Sequence, residues 1–245
     1  PRITKPAADG TSYHSSTMTP TTSRSESDPP TSSETPTARV RITYATPPNV
    51  PQTFTLALHR SWAPNSHDRF LEMARTRYFD GQRLVRAVPG FVLDWNYAPA
   101  CGLTEKTDRT VRYYDGLSWL AVDAEERKSG GRRRPNRAGT VAFGQEEDGR
   151  TKTEVFVNMV DNGKKLDELG FWPFGELESG SGSVARELAG WLVSMNFSYG
   201  DVFFSGGADG VEARKRQVAV MDGGNTFIDS KDPGMTRLGS VEILT

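Results

Sequence analysis

A chain of 245 residues carries 36% hydrophobic and 25% charged residues at a formal net charge of −1, room for one large domain, or a smaller one with extensions, and no global pull toward nucleic acid or anionic lipid. Cys101 is the single cysteine, which excludes an intramolecular disulfide framework, and His14, His59 and His67 fall in no metal-ligand spacing. No apolar run approaches the ~20 residues that span a bilayer.

Residues 1 to about 38 are rich in Ser, Thr and Pro, as in Thr19-Pro20-Thr21-Thr22-Ser23 and Ser27-Asp28-Pro29-Pro30-Thr31. Such a segment buries too little apolar surface to offset its ordering entropy. The expectation is an arm over 1–38, held by a larger protein assembly, ahead of a domain over 39–245. The chain starts at Pro1 rather than Met. A trimmed start fits import into an organelle, mitochondrion or plastid, with the protein soluble or peripheral to a complex.

From Val40 the texture changes. Val40-Arg41-Ile42-Thr43-Tyr44 and Phe54-Thr55-Leu56-Ala57-Leu58 alternate apolar and polar residues, which predicts two strands, joined by the proline-rich loop Thr46 to Pro51. Ala63-Pro64-Asn65-Ser66 opens a helix with proline in its first turn. Phe70, Leu71 and Ala74 form its buried stripe, and it stops before Tyr78-Phe79-Asp80-Gly81. Strands follow at Arg83 to Ala87 and Gly90 to Asp94. Residues 99 to 138 read as a polar insertion. Further strands are expected at Gly139 to Phe143, Glu154 to Asn158, Phe174 to Leu177 and Val241 to Leu244, with a second helix over Val184 to Val193. Many short strands, two helices and Gly-rich turns point to a closed β-barrel with helices over its ends.

Several blocks, in this order, resemble the cyclophilin-type peptidyl-prolyl isomerases. Phe79-Asp80-Gly81 with Leu84-Val85-Arg86-Ala87-Val88-Pro89-Gly90-Phe91 is similar to that family's Y-Y-D-G and F-H-R-x-x-P-G-F stretch. Gly139-Thr140-Val141-Ala142 matches its G-x-x-x-M-A strand. Thr151 to Asn158 resembles the S-Q-F-F-I strand, and Leu166-Asp167-Glu168-Leu169-Gly170-Phe171-Trp172-Pro173-Phe174-Gly175 resembles the segment ending V-F-G. The helix opened by Ala63-Pro64 is similar to the one that precedes these blocks in the family. The resemblance spans about Val40 to Leu244.

It implies a mainly β fold, a closed eight-stranded antiparallel barrel capped by two α-helices, and cis/trans isomerisation of X-Pro bonds in proline-containing polypeptides without a cofactor or metal. Nucleic acid is not an expected partner. By resemblance, Arg86 is the catalytic arginine. Phe91, Val92, Phe156 and Leu166 border the proline pocket, with Ala142 beside the peptide groove. Asp94 and Glu154 stand where the family has glutamines, Phe143 where an asparagine offers its backbone, and Phe171 near the pocket histidine. Trp95-Asn96 replaces two glycines, and Lys165 stands where a tryptophan precedes the pocket leucine. Carboxylates near Arg86, and the bulk of Trp95 and Phe143 in the groove, set a second expectation: a non-catalytic accessory subunit that uses the fold as a scaffold in a large organellar complex.

Other features carry plainer readings. Ser179-Gly180-Ser181-Gly182-Ser183 lacks the Lys-Ser/Thr ending of a phosphate loop and reads as the lead into a helix. Arg132-Arg133-Arg134 reads as a solvated basic loop. Glu125-Glu126 shows no acid/base pairing, and Cys101 reads as a packed small residue.

Overall fold

The computed structural model describes residues 33–46, 50–83, 86–88, 90–95, 122–145, 151–194, 215, 226–231 and 236–244. Residues 1–32 of the arm, Asn96, Cys101, Trp119 and the 99–121 part of the polar insertion lie outside the described residues. The fold is mainly β. Its strands are β1 (Ala38–Thr46), β2 (Val50–Leu58), β3 (Arg86–Val88), β4 (Val92–Trp95), β5 (Thr140–Gln145), β6 (Thr151–Asn158), β7 (Pro173–Leu177) and β8 (Arg237–Leu244). They form one curled antiparallel sheet in the order β3-β4-β6-β5-β7-β2-β1-β8. The segment leading into β3 bonds to β8, at the opposite end of that order. Arg83 bridges Arg237, Gly81 N–H donates to Leu238 O at 2.8 Å, and Leu238 N–H donates to Gln82 O at 2.8 Å.

Period-two alternation sets the register. Val40, Ile42 and Tyr44 are buried while Arg39 and Arg41 face solvent. Val40 pairs with Leu56 and Ile42 with Phe54, so both strands turn their apolar rows to one side. All eight predicted strands are present. The one expected over Arg83 to Ala87 is shorter and later, with Arg83 kept as a single bridge.

The main helices are α1 (Pro64–Arg75) and α4 (Ser181–Ser194); α2 (Val122–Lys128) and α3 (Gly163–Leu166) are short, and residues 226–231 form a further helical turn. Among the described residues no helix is long and apolar enough to cross a membrane. Phe70 on α1 sits among Phe79, Phe143 and Phe174, with ring centroids 5.3, 6.4 and 5.2 Å away. Ala185 and Leu188 of α4 enter the same core. The Gly-rich lead into α4 is structural: Ser181 Oγ accepts the Thr55 N–H at 2.9 Å.

Both ends of α1 are closed by groups the local sequence does not advertise. Ala63, its N-cap, has no capping side chain. The free N–H groups of the first turn instead meet Glu126 of α2, which accepts from Asn65 N at 2.9 Å, Ser66 N at 2.7 Å and Ser66 Oγ at 2.6 Å. A carboxylate there also suits the positive end of the helix dipole. At the other end Tyr78 N–H reaches Met73 O at 2.9 Å and Arg77 N–H reaches Ala74 O at 3.0 Å. That is a Schellman motif with Arg77, at φ 57°, where glycine is usual.

Glu34 and Thr37, near the end of the arm, bond to the domain. Thr37 N–H donates to Leu58 O at 2.8 Å, and Thr37 Oγ1 lies 2.9 Å from His67 Nε2. The Glu34 carboxylate accepts from Ser61 Oγ, from Trp62 Nε1 at 3.0 Å and from Arg134 Nη2 at 2.9 Å. Arg134 also lies over the Trp62 ring, 5.5 Å from its centroid, and Arg133 donates to Asp167 O at 2.9 Å. The basic run is therefore tied to the domain rather than freely solvated.

The hydrogen bonds from Ser61, then Trp62 and Arg134, hold Glu34 down from its ordinary 4.5 to about 2. In the unfolded chain Glu34 takes its proton near 4.5, in the folded protein only near 2. Its stabilisation is thus complete above pH 4.5 and lost as the pH falls toward 2. The side chain is 34% exposed, so solvent screening reduces the effect to about 1 kcal/mol. Urea unfolding from pH 6 to 2.5 should lose that much more stability in the wild type than in Glu34→Gln; parallel curves would dissolve this role for Glu34.

Candidate active site

β4, β5 and β6 bury residues on both faces. Leu93, Val141, Phe143, Val155 and Val157 enter the main core. The alternate residues Val92, Ala142 and Phe156 point the other way and join Leu166 of α3 in a second, separate apolar cluster, with Phe91 and Phe171 partly buried against it. Its four central side chains are buried, at 0 to 5% exposure, while Phe91 and Phe171 are partly exposed; a second apolar cluster apart from the main core is a candidate binding site.

The pairing lines up a cross-strand row. Arg86 is opposite Asp94, Asp94 opposite Phe156, and Phe156 opposite Ala142. Directly opposed residues in antiparallel strands stand about 4.5–5.5 Å apart at Cα. A basic residue, a carboxylate, an aromatic and a small apolar residue therefore occupy four adjacent positions. Phe156 and Phe171 meet edge to face, centroids 5.7 Å apart at 70°, and Lys165 Nζ lies 5.5 Å from the Phe91 ring centroid.

Of the residues singled out from sequence, Phe91, Val92, Ala142, Phe156, Leu166 and Phe171 share this cluster. Arg86 and Asp94 stand in its row, and Asp94 is 1% exposed. Glu154, two residues before Phe156 and 9% exposed, runs along Gly144, where an added Cβ would lie 3.2 Å from its carboxylate carbon. Phe143 does not fill the groove as its bulk suggested. Its ring stacks on Phe174 at 5.1 Å because odd-numbered residues of β5 face the core, so only its backbone can serve a ligand.

Sequence reasoning missed the polar chain beneath the cluster. Asn158 shares Phe156's face of β6. Its Nδ2 donates to Thr140 Oγ1 at 3.0 Å and Asn136 Oδ1 at 3.2 Å. Asn162 Nδ2 donates to Asn158 Oδ1 at 2.8 Å and Phe91 O at 2.9 Å. Asn136 Nδ2 donates to Asp167 Oδ1 at 2.7 Å and Phe171 O at 3.2 Å. A polar residue ending an apolar strand was the available signal. Asn162-Gly163 instead has the composition of an ordinary turn. Among the described residues no group of His, Cys, Asp and Glu could hold a metal ion.

The fold and this cluster define a sheet protein with a second apolar, aromatic-edged cluster, whose cross-strand row also carries a basic residue. The family model described as cyclophilin type peptidyl-prolyl cis-trans isomerase/CLD matches residues 39–189, more than half of the chain, and the chain belongs to that family. No curated protein sequence matches it.

Proposed function

We propose that the domain binds proline-containing polypeptide segments at the Phe91–Phe156–Phe171 cluster and isomerises the X-Pro bond there. The observation that carries this reading is the separation of the two faces: six residues singled out as substrate-binding lie apart from the main core in one second cluster, four of them buried and Phe91 and Phe171 partly exposed at its edge. The chemistry asks for little else. Peptide resonance sets a barrier of about 18–20 kcal/mol, and nothing covalent need form. A catalyst has only to bind the twisted amide better than the planar one. An apolar surface receives the prolyl ring. Arg86, whose register position is separated from Phe156 by Asp94 of β4, supplies a guanidinium to the prolyl nitrogen or the neighbouring carbonyl.

The sheet closes into an eight-stranded barrel in this reading, supported by the Arg83–Arg237 bridge and the bonds around Leu238. A protease-coupled assay on an X-Pro peptide tests the activity: the protein should speed the cis-to-trans phase over buffer. A rate equal to buffer from folded protein would refute turnover, leaving the accessory-scaffold alternative.

A further inference from the structure

We infer that the Asn136–Asn158–Asn162 chain positions the walls of the proline site, an inference that rests on the reading above. The three amides are buried, at 0%, 0% and 5% exposure, and both N–H groups of each are used. Their targets are what matter. Asn162 bonds the carbonyl of Phe91, which also accepts Met159 N–H at 2.9 Å, so both lone pairs of that carbonyl are occupied. The Asn162 carbonyl receives Leu166 N–H at 2.9 Å. Asn136 bonds the carbonyl of Phe171, whose own N–H returns to Leu166 O at 3.1 Å. One connected network thus holds the backbone of three of the six residues in the apolar cluster, Phe91, Leu166 and Phe171, which come from two separate segments of chain.

Apolar side chains could fill this space at less desolvation cost. They could not fix the rotation of the Phe91 segment and the 162–171 segment about one another, because dispersion contacts lack direction whereas hydrogen bonds weaken steeply off axis. Asn136, Asn158 and Asn162 are positioning residues: they touch no substrate and act through the aromatic walls. Asn162 is the junction, since its side chain and its backbone reach different walls.

Asn162→Ala should raise KM for an X-Pro peptide about tenfold, the scale of one lost hydrogen bond of about 1.4 kcal/mol, with kcat within about twofold. Loss of stability alone would lower the active fraction without moving KM, so an unchanged KM in folded variant overturns the inference. If Asn162→Ala does not fold, the near-isosteric Asn162→Asp, which removes both donors, replaces it. A readout without substrate separates this inference from the function. In the variant, NMR resonances of Phe91, Phe171 and Leu166 should shift while those of Phe70 and Phe174 in the main core stay put. That pattern in a protein without turnover would retain the network and discard the isomerase; shifts absent, or spread evenly over both clusters, would discard the network.

Discussion

Arg86→Ala is expected to lower kcat/KM for an X-Pro peptide by about 10²-fold or more while circular dichroism reports a folded domain. The magnitude is that of removing one preorganised donor aimed at a charge developing in the transition state. In the proposed mechanism this weight falls on Arg86, because Val92, Ala142, Phe156 and Leu166 can hold a ring but cannot polarise an amide. Arg86→Lys should recover only part of the loss, since a point charge lacks the planar fork that addresses nitrogen and carbonyl together. The opposed Asp94 gives a check on the same geometry. In the proposed mechanism a carboxylate at that register position would orient the guanidinium and also compete for it, so Asp94→Asn should change kcat in Arg86-containing protein and do nothing further once Arg86 is alanine. A full rate in Arg86→Ala would remove the guanidinium from the mechanism.

The second large effect concerns stability. Glu126→Ala should cost about 3 kcal/mol, from Asn65 N, Ser66 N and Ser66 Oγ left unpaired at roughly 1 kcal/mol each. Glu126 is 1% exposed, so water cannot take its place cheaply. For a chain of this size the melting temperature should fall by roughly 10 °C. Glu126→Gln keeps an acceptor for Ser66 but turns an N–H toward Asn65, and should lose about half as much. A change below about 1 kcal/mol in Glu126→Ala would mean that α1 is held by its packing alone.

What the sequence made legible, and what it did not, follows from range. The strands could be read because alternation is local: Val40, Ile42 and Tyr44 announce a buried face within five residues. The candidate site residues were legible only through the resemblance, motif by motif. Once Phe156 and Ala142 stand on the opposite face from Val155 and Phe143, their gathering on one surface follows from pairing. The same rule, applied strictly to β5, would have sent Phe143 into the core rather than the groove. Long-range polar closure left no such trace. Glu126 sits in a stretch that reads as a polar insertion, and nothing near Pro64 points to it. Glu34 lies among Ser, Thr and Pro residues that read as pure arm, yet it bonds Ser61, Trp62 and Arg134. Asn136, Asn158 and Asn162 are single polar residues in three segments, with no period to betray that they meet.

The most direct measurement is a nuclear Overhauser experiment on the wild-type protein saturated with a proline-containing peptide. Cross-peaks from the prolyl ring protons to the rings of Phe156 and Phe171 and the methyls of Leu166 are the predicted result. A bound peptide whose prolyl protons reach none of these three side chains would contradict the account.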